Sequence, residues 1–120
     1  MSQNQGIFDV GLAQKPANFQ ALTPLSFLGW AEEVYGARTA VIHGDIQFTY
    51  SQFAARCRLL ASALTGRGIG QGDTVSLMSP NTPPMLEAHY GVPMIGAVLN
   101  SLNYRLDAPT IAFILDHGES

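Results

Sequence analysis

From residue 23 to residue 118 the chain alternates between helical and extended patterns, and this alternation constrains its fold more tightly than any motif within it. Thr23-Pro24 reads as a helix start. Threonine caps, and proline fits the first turn, where its missing N–H has no intrahelical partner. Leu25, Leu28, Ala31 and Val34 follow at helical spacing, with Glu32 and Glu33 on the wet side and Gly36 as the stop. Thr39–His43 and Ile46–Thr49 are β-prone, and Gly44-Asp45 between them suits a two-residue hairpin turn. Thr49 and Gln52 have the spacing of a capping box. The helix it opens carries Phe53, Cys57, Leu60, Ala61 and Leu64 on one face, with Arg56 and Arg58 off its centre and Gly66 and Gly68 as stops. Gly70–Asp73 is a turn, and Thr74–Ser79 is a short strand with Val75 and Leu77 pointing one way. Thr82-Pro83-Pro84 opens a helix expected to run towards Gly96 with a bend at Pro93. Val98-Leu99 reads as a strand end, and Asp107-Ala108-Pro109 caps a last helix through Ile111, Ile114 and Leu115 to His117-Gly118.

Strands that alternate with helices argue for parallel pairing in a layered α/β fold. The expected architecture is a set of helices on an incomplete, mostly parallel sheet, with a hairpin near the N-terminus. After the last helix the pattern calls for another strand, so the chain is expected to stop in the middle of a sheet. Residues 1–22 are polar and lack periodicity, which predicts an extended arm; residues 23–120 then form one incomplete domain.

Composition excludes several classes. Hydrophobic residues make up 47% and charged residues 12%, about half the usual ~25% charged share. There is ample apolar area to bury, so general disorder is excluded, and some surface is expected to be covered by further protein. A net charge of −3 without a basic cluster argues against a nucleic-acid partner. The longest apolar run, Gly91–Leu99, has nine residues, whereas a membrane span needs about 20. Met1–Lys15 lacks a basic segment followed by an apolar run, so no secretory signal is expected. Cys57 has no partner for an internal disulfide. These bounds point to a cytoplasmic protein.

The residues that could carry chemistry each have a structural reading beside the functional one. Gly66-Arg-Gly-Ile-Gly-Gln-Gly72 resembles a phosphate loop at first sight, but G-x-G-x-x-G needs a glycine where Gln71 stands, and no Gly-Lys-Ser/Thr follows. It also follows a helix and precedes a strand, the reverse of a dinucleotide loop, so it reads as a helix stop and turn. His43, His89 and His117 lie far apart and lack metal-ligand spacing. Cys57 sits on an apolar stripe and reads as a buried small hydrophobe rather than a nucleophile. Ser79 and Ser101 lack a nucleophile-elbow sequence. Asn100-Ser-Leu-Asn-Tyr-Arg105, after a strand end, either ties loops together or touches a ligand. The residues alone therefore assign no catalytic, cofactor-binding or metal position.

Several blocks, in order, resemble the N-terminal part of the adenylate-forming acyl-CoA synthetases. They are Thr23-Pro-Leu-Ser-Phe-Leu28, Arg38-Thr-Ala-Val-Ile-His-Gly44, Phe48-Thr-Tyr50, Gly68-Ile-Gly-Gln-Gly-Asp-Thr-Val75, Ser79-Pro-Asn81 and Glu87-Ala-His-Tyr-Gly-Val-Pro93. Gly96-Ala-Val-Leu-Asn100, Asn103-Tyr-Arg-Leu106 and Ile111-Ala-Phe-Ile-Leu-Asp-His-Gly118 continue the series, which covers roughly residues 20–120. The wording is nearest to the medium-chain acyl and methylmercaptopropionate ligase branch. The resemblance implies a parent enzyme that joins a carboxylic acid to coenzyme A at the expense of ATP, with Mg²⁺, through an acyl-adenylate. The family's phosphate loop and its C-terminal lysine have no counterpart in residues 1–120, so the fragment alone is expected to be inactive and to rely on the remainder of the synthetase fold. Two other readings stay open: a stand-alone non-catalytic binding or interaction module derived from the family, and a small subunit that completes another synthetase.

Overall fold

The computed structural model describes Gly11 and residues 15–120. The predicted arm over 1–22 thus lies partly outside the described residues; over 15–22 the chain forms a turn, with the Asn18 and Phe19 amides both donating to the Lys15 carbonyl, and no helix or strand. Helix α1 spans Pro24–Tyr35, and the Thr23 side chain accepts a hydrogen bond from the Ser26 amide, as its sequence predicts. Strands β1 (Thr39–His43) and β2 (Ile46–Thr49) pair antiparallel across Gly44-Asp45. Gly44 has φ of 57°, the left-handed conformation that tight hairpin turns require and glycine tolerates. Helix α2 (Tyr50–Thr65) starts at a complete capping box: the Gln52 amide donates to Thr49 Oγ1 at 3.2 Å, and the Thr49 amide donates to Gln52 Oε1 at 2.9 Å.

Strand β3 (Thr74–Met78) pairs in parallel with β4 (Val98–Leu102), register Thr74 with Val98 through Met78 with Leu102. The crossover between them is helix α3 (Pro83–Gly91) followed by a 3₁₀ turn, Pro93–Ile95. Helix α4 (Ala108–His117) closes the described chain, capped by the Asp107 side chain on the Thr110 amide at 3.2 Å. Hairpin and parallel pair are separate two-stranded sheets. This is the α/β arrangement expected, a parallel βαβ unit with helices layered on it and a hairpin ahead of it.

Helix α2 lies between two apolar clusters. On one side Phe53, Ala54 and Cys57 pack with Leu28 of α1, flanked by Val41, Phe48 and Tyr90. On the other, Leu60 and Leu64 pack against Ala88, Val92 and Ala97, together with Val75, Leu77 and Leu99 of the parallel strands. The stripe read from sequence is therefore two faces, and the outer one, Leu60 and Leu64, is half-buried.

Four expectations change. Helix α3 ends at Gly91 instead of running to Gly96, because Pro93 cannot donate to the α-helical ladder and starts a 3₁₀ turn, which Gly96 ends at φ of 75°. Glu32 is not on the wet side of α1: it is half-buried against α2, where its carboxylate accepts two bonds of 2.7 Å from Arg58. Val34, placed on the inner stripe, is half exposed. Strand β4 runs on through Asn100-Ser101-Leu102, three residues beyond the predicted strand end.

Candidate functional site

In open parallel sheets ligands settle outside the carboxyl ends of the strands. At that end of β3 and β4 lies a cleft of about 480 Å³, walled by Ser79, Asn81, Ser101, Asn103, Arg105 and His89. Loop 79–82 is braced from within, Ser79 Oγ and Thr82 Oγ1 both donating to the Pro80 carbonyl at 3.1 and 3.2 Å. On the facing loop the Arg105 amide donates to Asn103 Oδ1 at 3.0 Å, and the Arg105 guanidinium lies over the Tyr104 ring. His89 stands on α3, its Nδ1 at 2.8 Å from the Met85 carbonyl. A carbonyl only accepts, so Nδ1 is the nitrogen that carries the proton in this bond.

A second cavity, about 570 Å³, shares the wall formed by Asn81, Met85 and His89. It lies between the hairpin (Val41, Ile42, His43) and α3, and its lining is largely apolar. Helix α3 is thus the partition between a polar cleft and an apolar groove. Among the described residues no carboxylate lines either one. With one guanidinium and several amides and hydroxyls, the polar cleft suits an anionic or carbonyl-bearing group; among the described residues no nucleophile is hydrogen-bonded to a base there.

The residues weighed from sequence divide cleanly. Ser79, Ser101, Asn103, Arg105 and His89 come together at the cleft. Asn100 does not: it lies within β4 and donates to Ser76 Oγ on β3 at 2.9 Å, a structural tie between the strands. His43 borders the groove, and His117 stacks on Phe113 near the end of α4, ring centroids 5.6 Å apart. Cys57 is fully buried, and burial, then the nearby Glu87 carboxylate, pushes its thiol up to about 11, which leaves it protonated and unreactive. Gly66–Gly72 is the helix stop and turn expected: the Gly66 amide donates to the Ser62 carbonyl, Gly68 and Gly72 have φ of 85° and 88°, and the Asp73 carboxylate accepts from the Gly70 amide at 2.8 Å. It precedes β3, at the opposite end of the strand from the cleft.

ATP and Mg²⁺ do not fit these residues. Among the described residues no glycine loop meets a helix N-terminus at the strand ends, and no group of three or more His, Cys, Asp or Glu is placed to hold a metal ion. No helix among the described residues is long and apolar enough to cross a membrane.

Residues 28–120 match the AMP-binding enzyme family. The chain belongs to this family. Over 109 residues it is 56% identical to the peroxisomal acetate/butyrate–CoA ligase AAE7 of Arabidopsis thaliana, a match that covers 91% of this chain and 19% of that protein. It is similar in structure to a fatty acyl CoA synthetase of Mycobacterium tuberculosis, with a TM-score of 0.76 and 34% identity over 79% of this chain and 19% of the other. It also shares its fold with the anthranilate CoA ligase AuaEII in complex with anthranoyl-AMP, with a TM-score of 0.80 at 21% identity, covering 89% of this chain and 21% of that one. The chain thus spans about a fifth of the length of the AMP-binding enzymes it matches.

Proposed function

We propose that the protein containing this chain is an ATP-dependent acyl-CoA synthetase and that residues 23–120 are the first part of its AMP-binding domain, with 1–22 as an extended lead-in. The observation that carries the reading is the 56% identity to a CoA ligase across 91% of the chain, far above what a shared α/β fold alone requires. The reaction begins with a carboxylate, a poor electrophile. Attack of its oxygen on the α-phosphorus of ATP expels pyrophosphate and gives an acyl-adenylate. The coenzyme A thiol, losing its proton, then displaces AMP to form the thioester. ATP, Mg²⁺ and coenzyme A are assigned to segments beyond residues 1–120, since the described residues offer neither phosphate loop nor metal ligands. What this part contributes is scaffold and one wall of a cleft at the strand ends, so the 120-residue chain alone is inactive.

For the acid we propose the medium-chain range, on the resemblance of residues 20–120 to that branch of the family; relatives are named for acids from acetate and butyrate to fatty acyl chains. For the compartment we propose the cytoplasm; several relatives are named as peroxisomal, so co-localisation of the full-length protein with a peroxisomal marker would overturn that placement.

The test is acid-dependent ATP–pyrophosphate exchange by the full-length protein across a series from acetate and butyrate to hexanoate, octanoate and longer acids. Exchange peaking at hexanoate or octanoate supports the reading. Exchange with none of them overturns the enzyme, and a peak at acetate or at long chains overturns the chain length alone. Exchange by the 120-residue chain above background would overturn its assignment as scaffold.

A further inference from the structure

The groove between the hairpin and α3 has two walls on separate elements, and one side chain touches both. Arg56, on α2, lays its guanidinium over the Phe48 ring of β2, 4.7 Å from the centroid. The same guanidinium reaches α3: Nε donates to Glu87 Oε1 at 2.5 Å and Nη2 to Oε2 at 3.4 Å. Glu87 is the one buried charged residue of the described chain, and Arg56 is its ion-pair partner. An α-helix turns about 200° in two residues, so Met85 and His89, four apart, share the face opposite Glu87. That opposite face walls both cavities. The pair therefore holds α3 from behind and sets which face it turns to the groove, while the stack on Phe48 holds the hairpin at a fixed distance from it.

We propose that Arg56 is a positioning residue, a tie across α2 that fixes the spacing of the hairpin and α3 and so the width of the groove between them. The inference does not depend on which acid, if any, the protein activates. It rests on one guanidinium engaging two elements at once, through an aromatic face and a buried carboxylate, both geometries for which arginine is suited and lysine is a poor substitute.

The experiment measures groove width in the full-length protein. Ile42→Cys and Leu86→Cys place one thiol on each wall, and dibromobimane, which fluoresces when it bridges two thiols, reports their proximity; peptide mapping identifies the 42–86 bridge. Bridging is expected to fall several-fold with Arg56→Met and less with Arg56→Lys, which keeps the cation. Phe48→Leu and Glu87→Gln should each lower it, yet neither should lower it further once Arg56→Met is present. Leu64→Ala, which loosens the other apolar cluster without touching the tie, should leave it unchanged. Unaltered bridging in Arg56→Met overturns the proposal. So does further loss on adding Phe48→Leu or Glu87→Gln, or an equal loss in Leu64→Ala, which would reveal a general softening of the fold.

Discussion

Cys57 shows how a position fixes what a side chain can do. It is fully buried between Phe53 and Ala54 of its own helix and Leu28 of α1. Burial raises the thiol from its ordinary 9.0 to about 11, so the folded state holds this proton more tightly than the unfolded one. Its contribution to stability is complete below pH 9 and is lost as the pH rises towards 11, by at most about 2–3 kcal/mol. Cys57→Ala removes the titration, so the stability difference between wild type and variant should shrink over that interval in denaturant titrations. An unchanged difference would mean that the thiol ionises without cost. In the native state the thiol should also resist iodoacetamide at neutral pH, and alkylation at the rate of the unfolded chain would place it at the surface. Glu32 illustrates the opposite sign. The hydrogen bonds from Arg58 hold its carboxyl below the usual range, so the pair's stabilisation is present above the ordinary carboxylate pKa and fades as pH falls through the lowered one. Being partly exposed, the pair contributes no more than about 1 kcal/mol.

At the scale of elements, two glycines make opposite predictions. Gly91 closes α3 where it approaches α2 closely enough that a Cβ would stand 2.9 Å from the Cys57 carbonyl oxygen and 2.9 Å from Leu60 Cδ2. The carbonyl belongs to a helix backbone and cannot yield, so Gly91→Ala should cost about 1–3 kcal/mol by overpacking. Gly29 sits exposed inside α1 with nothing within 4 Å of the same position, so Gly29→Ala should stabilise by about 0.5–1 kcal/mol through helix propensity. Equal effects in chemical denaturation would show that helix packing is not what distinguishes the two. Local chemistry made most elements legible: the Thr49/Gln52 box, the Thr23 and Asp107 caps and the Gly44 turn are interactions within a few residues. The end of α3 was less so, because Pro93 permits either a kink or a stop; here it opens the 3₁₀ turn directly after Val92, which is buried in the second apolar cluster. The cleft was legible only in part: Asn100–Arg105 stands out as a polar cluster after a strand, but nothing in the sequence joins it to Ser79 and His89, which the parallel register of β3 and β4 brings to the same edge.

At the scale of the whole molecule the parallel pair and the last helix are left open. β3 and β4 pair only with each other among the described residues, so each presents an open edge, and Met78 and Val98 are half exposed on them. Helix α4 has no buried residue, and Phe113 is two-thirds exposed. Unpaired strand edges beside apolar side chains favour pairing with another copy, and a charged share of 12% offers little electrostatic opposition. The 120-residue chain by itself should therefore self-associate. Its amide protection should be highest along α2, which is packed on two sides, and lowest in α4 and at the outer edges of β3 and β4. Within the full-length protein the same strands should be protected as strongly as α2. Hydrogen exchange with sedimentation on both proteins measures this difference. A monomeric 120-residue chain that unfolds cooperatively, with residues 74–102 as protected as residues 50–65, would show that two strands and α4 complete the sheet by themselves, and would favour an independent module over one part of a larger enzyme.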